Sequence, residues 1–302
     1  MAGTLPILGA HMSMAGGFHR AIERGLEVGC QCVQMFTKNN NQWHASPITD
    51  EAVEQLRVAL VPSGIHHLLA HSSYLINLAT PDAGLWKKSL HALVVELQRA
   101  EQLHIPFVVL HPGAYTSSSE AAGLRQVVRA LDEVHRQTRP LRTMCLLENT
   151  AGQGTCLGWR FEQLAAILDG VQAPERLGVC FDTCHAYAAG YALGSQSDYR
   201  HTMRQLQQLV GFQRIKAIHL NDSKGVLGCR VDRHEHIGRG QIGIEAFARV
   251  LNDRRFRRVP MYLETPKGED GSGGELDERN LGVLRGLVAS QRVSGRRTRT
   301  SR

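Results

Sequence analysis

Eight short apolar segments, separated by stretches long enough to form helices, limit the possible folds of this chain most strongly. Six of them run directly into a residue type that binds metal ions, and these terminal residues are His71, His111, Glu148, Asp182, His219 and Glu264. The other two end at His11 and Thr37. A strand buried on both faces normally stays apolar or passes into turn residues, so repeated endings of this kind indicate one shared site. The pattern predicts an α/β fold, a single-domain (β/α)8 TIM barrel with its active site at the C-terminal face of the strands.

The segments between the predicted strands repeat apolar residues at helical spacing. One such stripe consists of Leu90, Leu93, Val94 and Leu97. The length of 302 residues fits one barrel with modest loop insertions. We therefore predict a barrel domain over residues 1–288 and a basic, disordered tail over residues 289–302.

Composition limits the cellular setting and the class of partner. The chain has no run of about 20 apolar residues and no signal-peptide core, which predicts a soluble protein without a membrane partner. Its seven cysteines lack a CxxC pair and a regular spacing, so we expect a reducing compartment and a cytoplasmic location. A net charge of +7 and a pI near 9.2 favour an anionic partner, although charge alone does not separate nucleic acid binding from solubility.

Local spacing adds three further candidate ligands to the six strand ends. His185 follows Asp182 by three residues, and Asp232 and His234 flank Arg233. Alternate residues of an extended loop point the same way, so the pair can hold one ion while Arg233 faces elsewhere. Five imidazoles and four carboxylates exceed what one ion can use, which predicts several metal ions. The mixed nitrogen and oxygen donors favour zinc over manganese or iron.

The motifs that carry these residues resemble a known family. In order and spacing, they are GAHMSMAGG, FTKNNNQW, HSSYLINLA, HPGAY, LENTAGQG, FDTCHAYAAGY, HLNDSK, GCRVDRHEHIGRGQIG and YLETP. Together they resemble the endonuclease IV family of apurinic/apyrimidinic endonucleases. The resemblance covers the chain from about Ile7 to Glu264 and continues more weakly to about Val288.

The resemblance implies a zinc enzyme of base-excision repair that acts on double-stranded DNA containing abasic sites. Such an enzyme cuts on the 5′ side of the abasic site and leaves a 3′-hydroxyl and a 5′-deoxyribose phosphate, using a hydroxide activated by three zinc ions. The implied ligands are His71, His111 and Glu148 for the first ion, Glu148, Asp182, His219 and Glu264 for the second, and His185, Asp232 and His234 for the third. Glu148 would bridge two ions, and Glu264 would also orient the attacking water. His11 is expected to bond to a ligand or to the phosphate.

Contacts with DNA are expected from the loops that follow the strands. Tyr74 is a candidate wedge that replaces lost base stacking, and Lys38 and Arg233 are expected at the rim of the barrel mouth. Asn41 stands where many relatives carry arginine, which puts insertion into the DNA gap in doubt, with Trp43 or Lys38 as partial substitutes. Ser72 follows the ligand His71 where relatives often have aspartate, so the bonding around that ligand is expected to differ.

Three other interpretations are compatible with parts of this pattern. Sugar isomerases and epimerases on the same barrel also place histidine and carboxylate ligands at strand ends, but they bind one or two metal ions. A protein that recognises damaged DNA without cutting it is expected to lack at least one ligand. A barrel that uses metals for stability alone is the third. A full set of nine ligands favours the nuclease, which we expect to be monomeric.

Overall fold

The architecture is a closed parallel barrel of eight strands, as the sequence predicts. The protein is described by a computed structural model that covers residues 5–269 and 275–288. The predicted basic tail, residues 289–302, lies outside the described residues. The barrel strands, in spatial order, are β1 (Leu8–His11), β2 (Cys32–Phe36), β3 (His67–His71), β4 (Phe107–Leu110), β5 (Met144–Glu148), β6 (Leu177–Asp182), β7 (Ile215–His219) and β10 (Met261–Leu263).

A short antiparallel hairpin interrupts the regular alternation after β7. It consists of β8 (Asp222–Ser223) and β9 (His234–Glu235), with Ser223 paired to His234. This hairpin brings Asp232, Arg233 and His234 back over the end of the barrel.

Helices surround the barrel and connect its strands. They are α1 (Phe18–Glu27), α2 (Asp50–Leu60), α3 (Ala83–Gln102), α4 (Glu120–Gln137), α5 (Phe161–Gly170), α6 (Thr183–Ala188), α7 (Gln196–Leu209), α8 (Ile244–Asn252) and α9 (Leu276–Gly286). Several begin at a residue whose side chain accepts a bond from a free backbone N–H of the first turn, including Thr49, Asp82, Ser119 and Ser195. The predicted stripe of α3 is buried against the barrel.

Apolar residues fill both the inside of the barrel and the layer between strands and helices. Inside, successive strands contribute one side chain each to a small cluster, which contains Cys32, Leu69, Val109, Leu146, Cys180, Ala217 and Tyr262. The strand β1 has Gly9 at this level, where a Cβ atom would lie 1.7 Å from the carbonyl oxygen of Cys32. The filled interior leaves the C-terminal ends of the strands as the place where polar side chains can meet.

Three of the expected strand ends lie one residue beyond the hydrogen-bonded strands. These residues are Thr37, His111 and Glu264, which follow β2, β4 and β10 directly. His111 and Glu264 still join the other candidate ligands at the mouth, whereas Thr37 donates its hydroxyl to Glu96 on α3. Within residues 5–269 and 275–288, no helix is long and apolar enough to cross a membrane. None of the seven cysteines, all of which lie in this described part, forms a disulfide.

Candidate metal centre

Nine side chains predicted as ligands meet at the C-terminal mouth of the barrel. They form three groups, in each of which the ligand atoms lie within 4.8 Å of one another. The groups are His71, His111 and Glu148; Glu148, Asp182, His219 and Glu264; and His185, Asp232 and His234. This division is the one that the family resemblance implies.

Glu148 lies at the centre and contacts histidines on both sides. Its Oε2 atom is 3.3 Å from Nε2 of His71 and 3.0 Å from Nε2 of His111. Its Oε1 atom is 2.8 Å from Nδ1 of His219 and 3.2 Å from Nδ1 of His185. Because the side chain is fully buried at the end of β5, the carboxylate cannot turn away into water. One carboxylate is thus placed to serve two neighbouring ions.

The third group depends on the β8–β9 hairpin. Asp232 and His234 come from the hairpin, and His185 comes from α6 on the barrel itself. The Asp232 carboxylate is 3.2 Å from Nε2 of His185 and 3.3 Å from Nε2 of His234. The two nitrogens are 3.4 Å apart. Asp232 and His234 therefore point to the same place, as the alternation of an extended segment requires.

Cys184 is a further residue near the third group that the sequence analysis did not consider. Asp182, Cys184 and His234 also place ligand atoms within 4.8 Å of one another. Burial, reinforced by Asp182, raises the pKa of the Cys184 thiol to about 12. A protonated thiol is a weak ligand, so the imidazole and carboxylate groups are the stronger candidates. Its position inside the motif FDTCH was the available signal.

Backbone and amide oxygens fix the orientation of the histidine rings. Nδ1 of His71 lies 2.8 Å from the Ser72 carbonyl, Nδ1 of His185 lies 2.9 Å from the Asn149 carbonyl, and Nδ1 of His234 lies 3.1 Å from the Glu264 carbonyl. Each of these nitrogens can donate its proton to that oxygen, which leaves the lone pair of Nε2 directed into the site. This arrangement is typical of imidazoles that bind metals.

His219 is turned the other way by Gln34. Its Nε2 atom is 2.7 Å from the Gln34 amide oxygen, so Nδ1 faces the carboxylates. The Gln34 amide nitrogen donates to Glu264 at 2.5 Å and lies 2.9 Å from Nδ1 of His11. His11 itself lies 3.7 Å from the Glu264 carboxylate, beside a candidate ligand, and its hydrogen bond is with Gln34; a bond from His11 to a ligand or to the phosphate stays a prediction. Gln34 was missed, although a glutamine inside the apolar run CVQMF was a visible signal.

Two buried asparagines hold Asp182 and Glu264 of the second group through the Asp182 carboxylate and the backbone of both residues. Asn221 donates to Asp182 at 2.6 Å and accepts the backbone N–H of Glu264 at 2.7 Å. Asn149 accepts the backbone N–H of Asp182 at 2.8 Å. Both follow strand-end residues in motifs of the sequence, LEN and HLN, yet the sequence gives no indication of which groups they contact.

Burial and neighbouring opposite charges shift the pKa values of the candidate ligands in different directions. Burial alone would raise the pKa of Glu148, but His219 and His111 more than offset it and hold the pKa well below its ordinary value. Burial would likewise lower the pKa of His185, yet Asp182 and Asp232 raise it well above the usual value. Burial raises the pKa of Asp182, against the opposing effect of the histidines. Protons on the imidazoles thus balance the carboxylates, and cations that displaced those protons would bind the freed nitrogen lone pairs and the carboxylate oxygens.

Of the residues expected to contact DNA, Tyr74, Arg233 and Asn41 are accessible. Tyr74 is 60% exposed, and its ring centroid lies 5.5 Å from that of His71 and 5.7 Å from that of Phe36. It therefore stands directly over the first ligand group. Arg233 is exposed on the hairpin, between the two ligands Asp232 and His234. Asn41 is exposed in the loop after β2.

Lys38 is not at the rim, contrary to the expectation that it contacts DNA there. The residue is only 5% exposed, and its ammonium group lies 3.6 Å from the carboxylate of Glu96 on α3. It also donates to the Gln42 carbonyl at 2.6 Å. The side chain turns inward because a buried acid and a backbone oxygen are available there. Trp43, the other expected substitute for Asn41, packs on the core and lies 4.4 Å from the Lys88 ammonium group.

The fold and the ligand groups at its mouth define a xylose isomerase-like TIM barrel, and the model of that family matches residues 22–286. Within this class, the chain is 45% identical over 284 residues to "Probable endonuclease 4" of Geobacter sp. strain M21, covering 94% of this chain and 99% of the relative. It is 49% identical over 284 residues to "Probable endonuclease 4" of Chloroflexus aurantiacus strain J-10-fl, with 94% and 99% covered. The chain belongs to the endonuclease IV family.

Solved structures agree with this assignment. Endonuclease IV from Thermus thermophilus superposes with a TM-score of 0.80 at 36% identity, covering 93% of this chain and 98% of that one. A D-tagatose 3-epimerase-like protein superposes with a TM-score of 0.70 at 18% identity, covering 92% and 96%. The second likeness concerns the fold alone.

Proposed function

We propose that this protein is a metal-dependent endonuclease of base-excision repair. It hydrolyses the phosphodiester bond 5′ to an abasic site in duplex DNA and leaves a 3′-hydroxyl and a 5′-deoxyribose phosphate. The observation that carries the proposal is the shared carboxylate of Glu148, with two histidines beside each oxygen. The relatives named as probable endonuclease 4 support the same reaction.

The donor set fits three zinc ions, with manganese or iron as alternatives. The nine side chains provide nitrogen and oxygen atoms only, a chemistry that suits zinc. When bound, such ions lower the pKa of a water molecule and neutralise charge on the scissile phosphate. We propose that each of the three ligand groups binds one ion, with Glu148 shared between the first and the second.

The protein's own side chains supply orientation and proton control. We propose Glu148 and Glu264 as the catalytic carboxylates. Oε1 of Glu264 accepts from the Gln34 amide nitrogen, and Oε2 lies 3.2 Å from Nδ1 of His219, so the direction of both oxygens is fixed. A carboxylate held in this way can orient an attacking water. Its side chain keeps 13% of its surface exposed, which leaves access from the mouth.

The candidate DNA contacts are the exposed residues at the rim of the barrel mouth. We propose that Tyr74 stacks at the abasic gap, that Arg233 contacts phosphate, and that Asn41 faces the same groove. Lys38 is left out of this set because it is buried. The net charge of +7 agrees with a polyanionic substrate. A monomer in the cytoplasm stays our prediction.

The competing interpretations fit the centre less well. A sugar epimerase needs one or two ions, so the third group formed by His185, Asp232 and His234 would have no task. A protein that only binds damaged DNA would not need a fully buried bridging carboxylate. A metal that only stabilises the barrel would not need an exposed tyrosine above the ligands.

The test combines metal analysis with a cleavage assay on a duplex that contains one tetrahydrofuran abasic analogue. We expect about three zinc ions per chain, a single incision 5′ to the analogue, and loss of cleavage with a chelator. Glu148→Gln should lower kcat by at least about a hundredfold while duplex affinity stays close to that of the wild type. Glu101→Gln, which changes a glutamate at the opposite end of the barrel, is the matched control. Near-normal turnover by Glu148→Gln would refute the bridging role.

A further inference from the structure

Glu96 is a buried carboxylate that the proposed reaction does not use. It lies on α3 with 1% of its surface exposed, within the apolar stripe of that helix. Its neighbours come from two different rim loops, residues 37–46 after β2 and residues 72–77 after β3. These loops carry Asn41 and Tyr74.

The contacts of Glu96 with the loop after β2 fix the start of that loop. Its Oε2 atom accepts the hydroxyl of Thr37 at 2.6 Å, and its Oε1 atom lies 3.6 Å from the Lys38 ammonium group. Lys38 in turn donates to the Gln42 carbonyl. One turn further along α3, Arg99 donates to the carbonyls of Thr37 and Ser46. Both ends of the loop, Thr37 and Ser46, are thus bonded to α3, and Lys38 bonds the middle of the loop at Gln42.

The same carboxylate also holds the loop after β3. Oε1 of Glu96 accepts the backbone N–H of Ser73 at 3.2 Å, directly before Tyr74. The Ser73 hydroxyl then donates to the Asn40 carbonyl at 2.5 Å, next to Asn41. The two loops are therefore joined to each other and to one side chain beneath them.

We propose that Glu96 is a positioning residue that keeps Asn41 and Tyr74 in a fixed relation, so that both meet the DNA groove together. The inference rests on the proposed function. A buried carboxylate without its cation is costly, and so is a buried ammonium group without its carboxylate. The pair therefore holds its geometry more firmly than neutral side chains on exposed loops could.

The first experiment measures backbone hydrogen exchange in the free protein, without DNA. Glu96→Gln should speed exchange by at least about tenfold in both loops, because it removes the charge beside Lys38 and weakens the acceptor of the Thr37 hydroxyl and the Ser73 N–H. Glu101→Gln is the control on the same helix. Glu101 also accepts a threonine hydroxyl and backbone N–H groups, but those of Arg142 and Thr143 at the other end of the barrel. Glu101→Gln should change exchange only near Arg142 and Thr143. An effect of Glu96→Gln on one loop alone would overturn the proposal.

The second experiment measures kinetics on the abasic duplex. Glu96→Gln should raise KM by about tenfold with kcat nearly unchanged, since the loops bind substrate without touching the reacting phosphate. In a background that carries both Asn41→Ala and Tyr74→Ala, the same change should have an effect below about twofold, because both positioned residues are gone. Equal effects in both backgrounds, or an equal rise in KM for Glu101→Gln, would contradict the positioning role.

A double variant that removes both charges of the buried pair distinguishes a positioning role of Glu96 from a simple loss of stability. Lys38→Met alone and Glu96→Gln alone each leave one buried group unpaired, whereas the double variant removes both charges. The double variant should regain most of the thermal stability but keep the raised KM, because the link to Ser73 is weakened. Recovery of both properties would show that stability was the only role. If the wild type does not cut abasic DNA, the proposed function fails, while the exchange experiment still decides whether Glu96 couples the loops.

Discussion

The two carboxylate oxygens of Glu148 contact different pairs of histidines. Oε2 lies near His71 and His111, and Oε1 lies near His185 and His219. Aspartate would be one methylene too short to reach both sides from the end of β5. Glutamine would keep the length but lose the negative charge that four imidazoles surround. Such a position accepts glutamate alone, because length and charge are both needed.

His135 shows the opposite case, a buried imidazole far from the ligand groups. It lies on α4 with 7% of its surface exposed, and neither ring nitrogen has a hydrogen-bond partner among the described residues. Burial, with the nearby charge of Arg176, lowers the pKa of His135 to about 4. The ring is therefore neutral in the folded protein at neutral pH.

The pKa of His135 predicts how stability depends on pH. The unfolded chain takes up a proton near pH 6.5 and the folded chain only near pH 4, so between these values the unfolded state binds more protons. The free energy of unfolding should fall as the pH drops, by about 1–2 kcal/mol between pH 7 and pH 5 from this residue. Urea unfolding of the wild type and of His135→Phe at both pH values measures it. An equal loss in both proteins would show that His135 does not contribute.

At the scale of elements, the β8–β9 hairpin decides whether the third ligand group exists. Asp222 is fully buried at the base of the hairpin. Its carboxylate accepts four backbone N–H groups, from Ser223 at 2.8 Å, Gly238 at 2.9 Å, Gly240 at 3.0 Å and Ile242 at 3.1 Å. The chain leaving β9 is thereby bonded to the chain entering β8. Asp232 and His234 are carried between these two fixed points.

Replacement of Asp222 should therefore weaken metal binding without touching a ligand. Asp222→Ala leaves several backbone N–H groups without their acceptor, so we expect the affinity of the third ion to fall about 10–100-fold. Zinc titration against a chromophoric chelator measures this, and Asp198→Ala at the exposed start of α7 serves as the control. Unchanged affinity for all ions in Asp222→Ala would mean that the hairpin holds its shape by itself.

At the scale of the molecule, the fold was predictable because each strand is short, apolar and ends on a polar residue at the same face. Thr37, His111 and Glu264 lie just past their strands, which does not alter the barrel. The direction of Lys38 was not predictable, because its acceptor Glu96 is 58 residues away in sequence. Contacts of this kind depend on the packed barrel. Glu96 and Gln34 did leave a signal, since each is a polar residue within an apolar stretch.

The ligand groups also predict how metal removal affects the whole molecule. Their residues come from β3, β5, β6, β7, α6 and the hairpin, together with residues that follow β4 and β10. The ligand groups are therefore complete only in the folded protein, and the ions would bind to the folded state alone. A ligand that binds only the folded state at 100 times its Kd stabilises it by about 2.7 kcal/mol. For a chain of 302 residues this corresponds to about 4 °C in Tm for each ion, so a chelator should lower the Tm by at least that amount, and added zinc should restore it. Melting with EDTA already saturated by zinc controls for effects of the chelator itself. Identical melting curves with and without free chelator would contradict a metal centre built from these side chains.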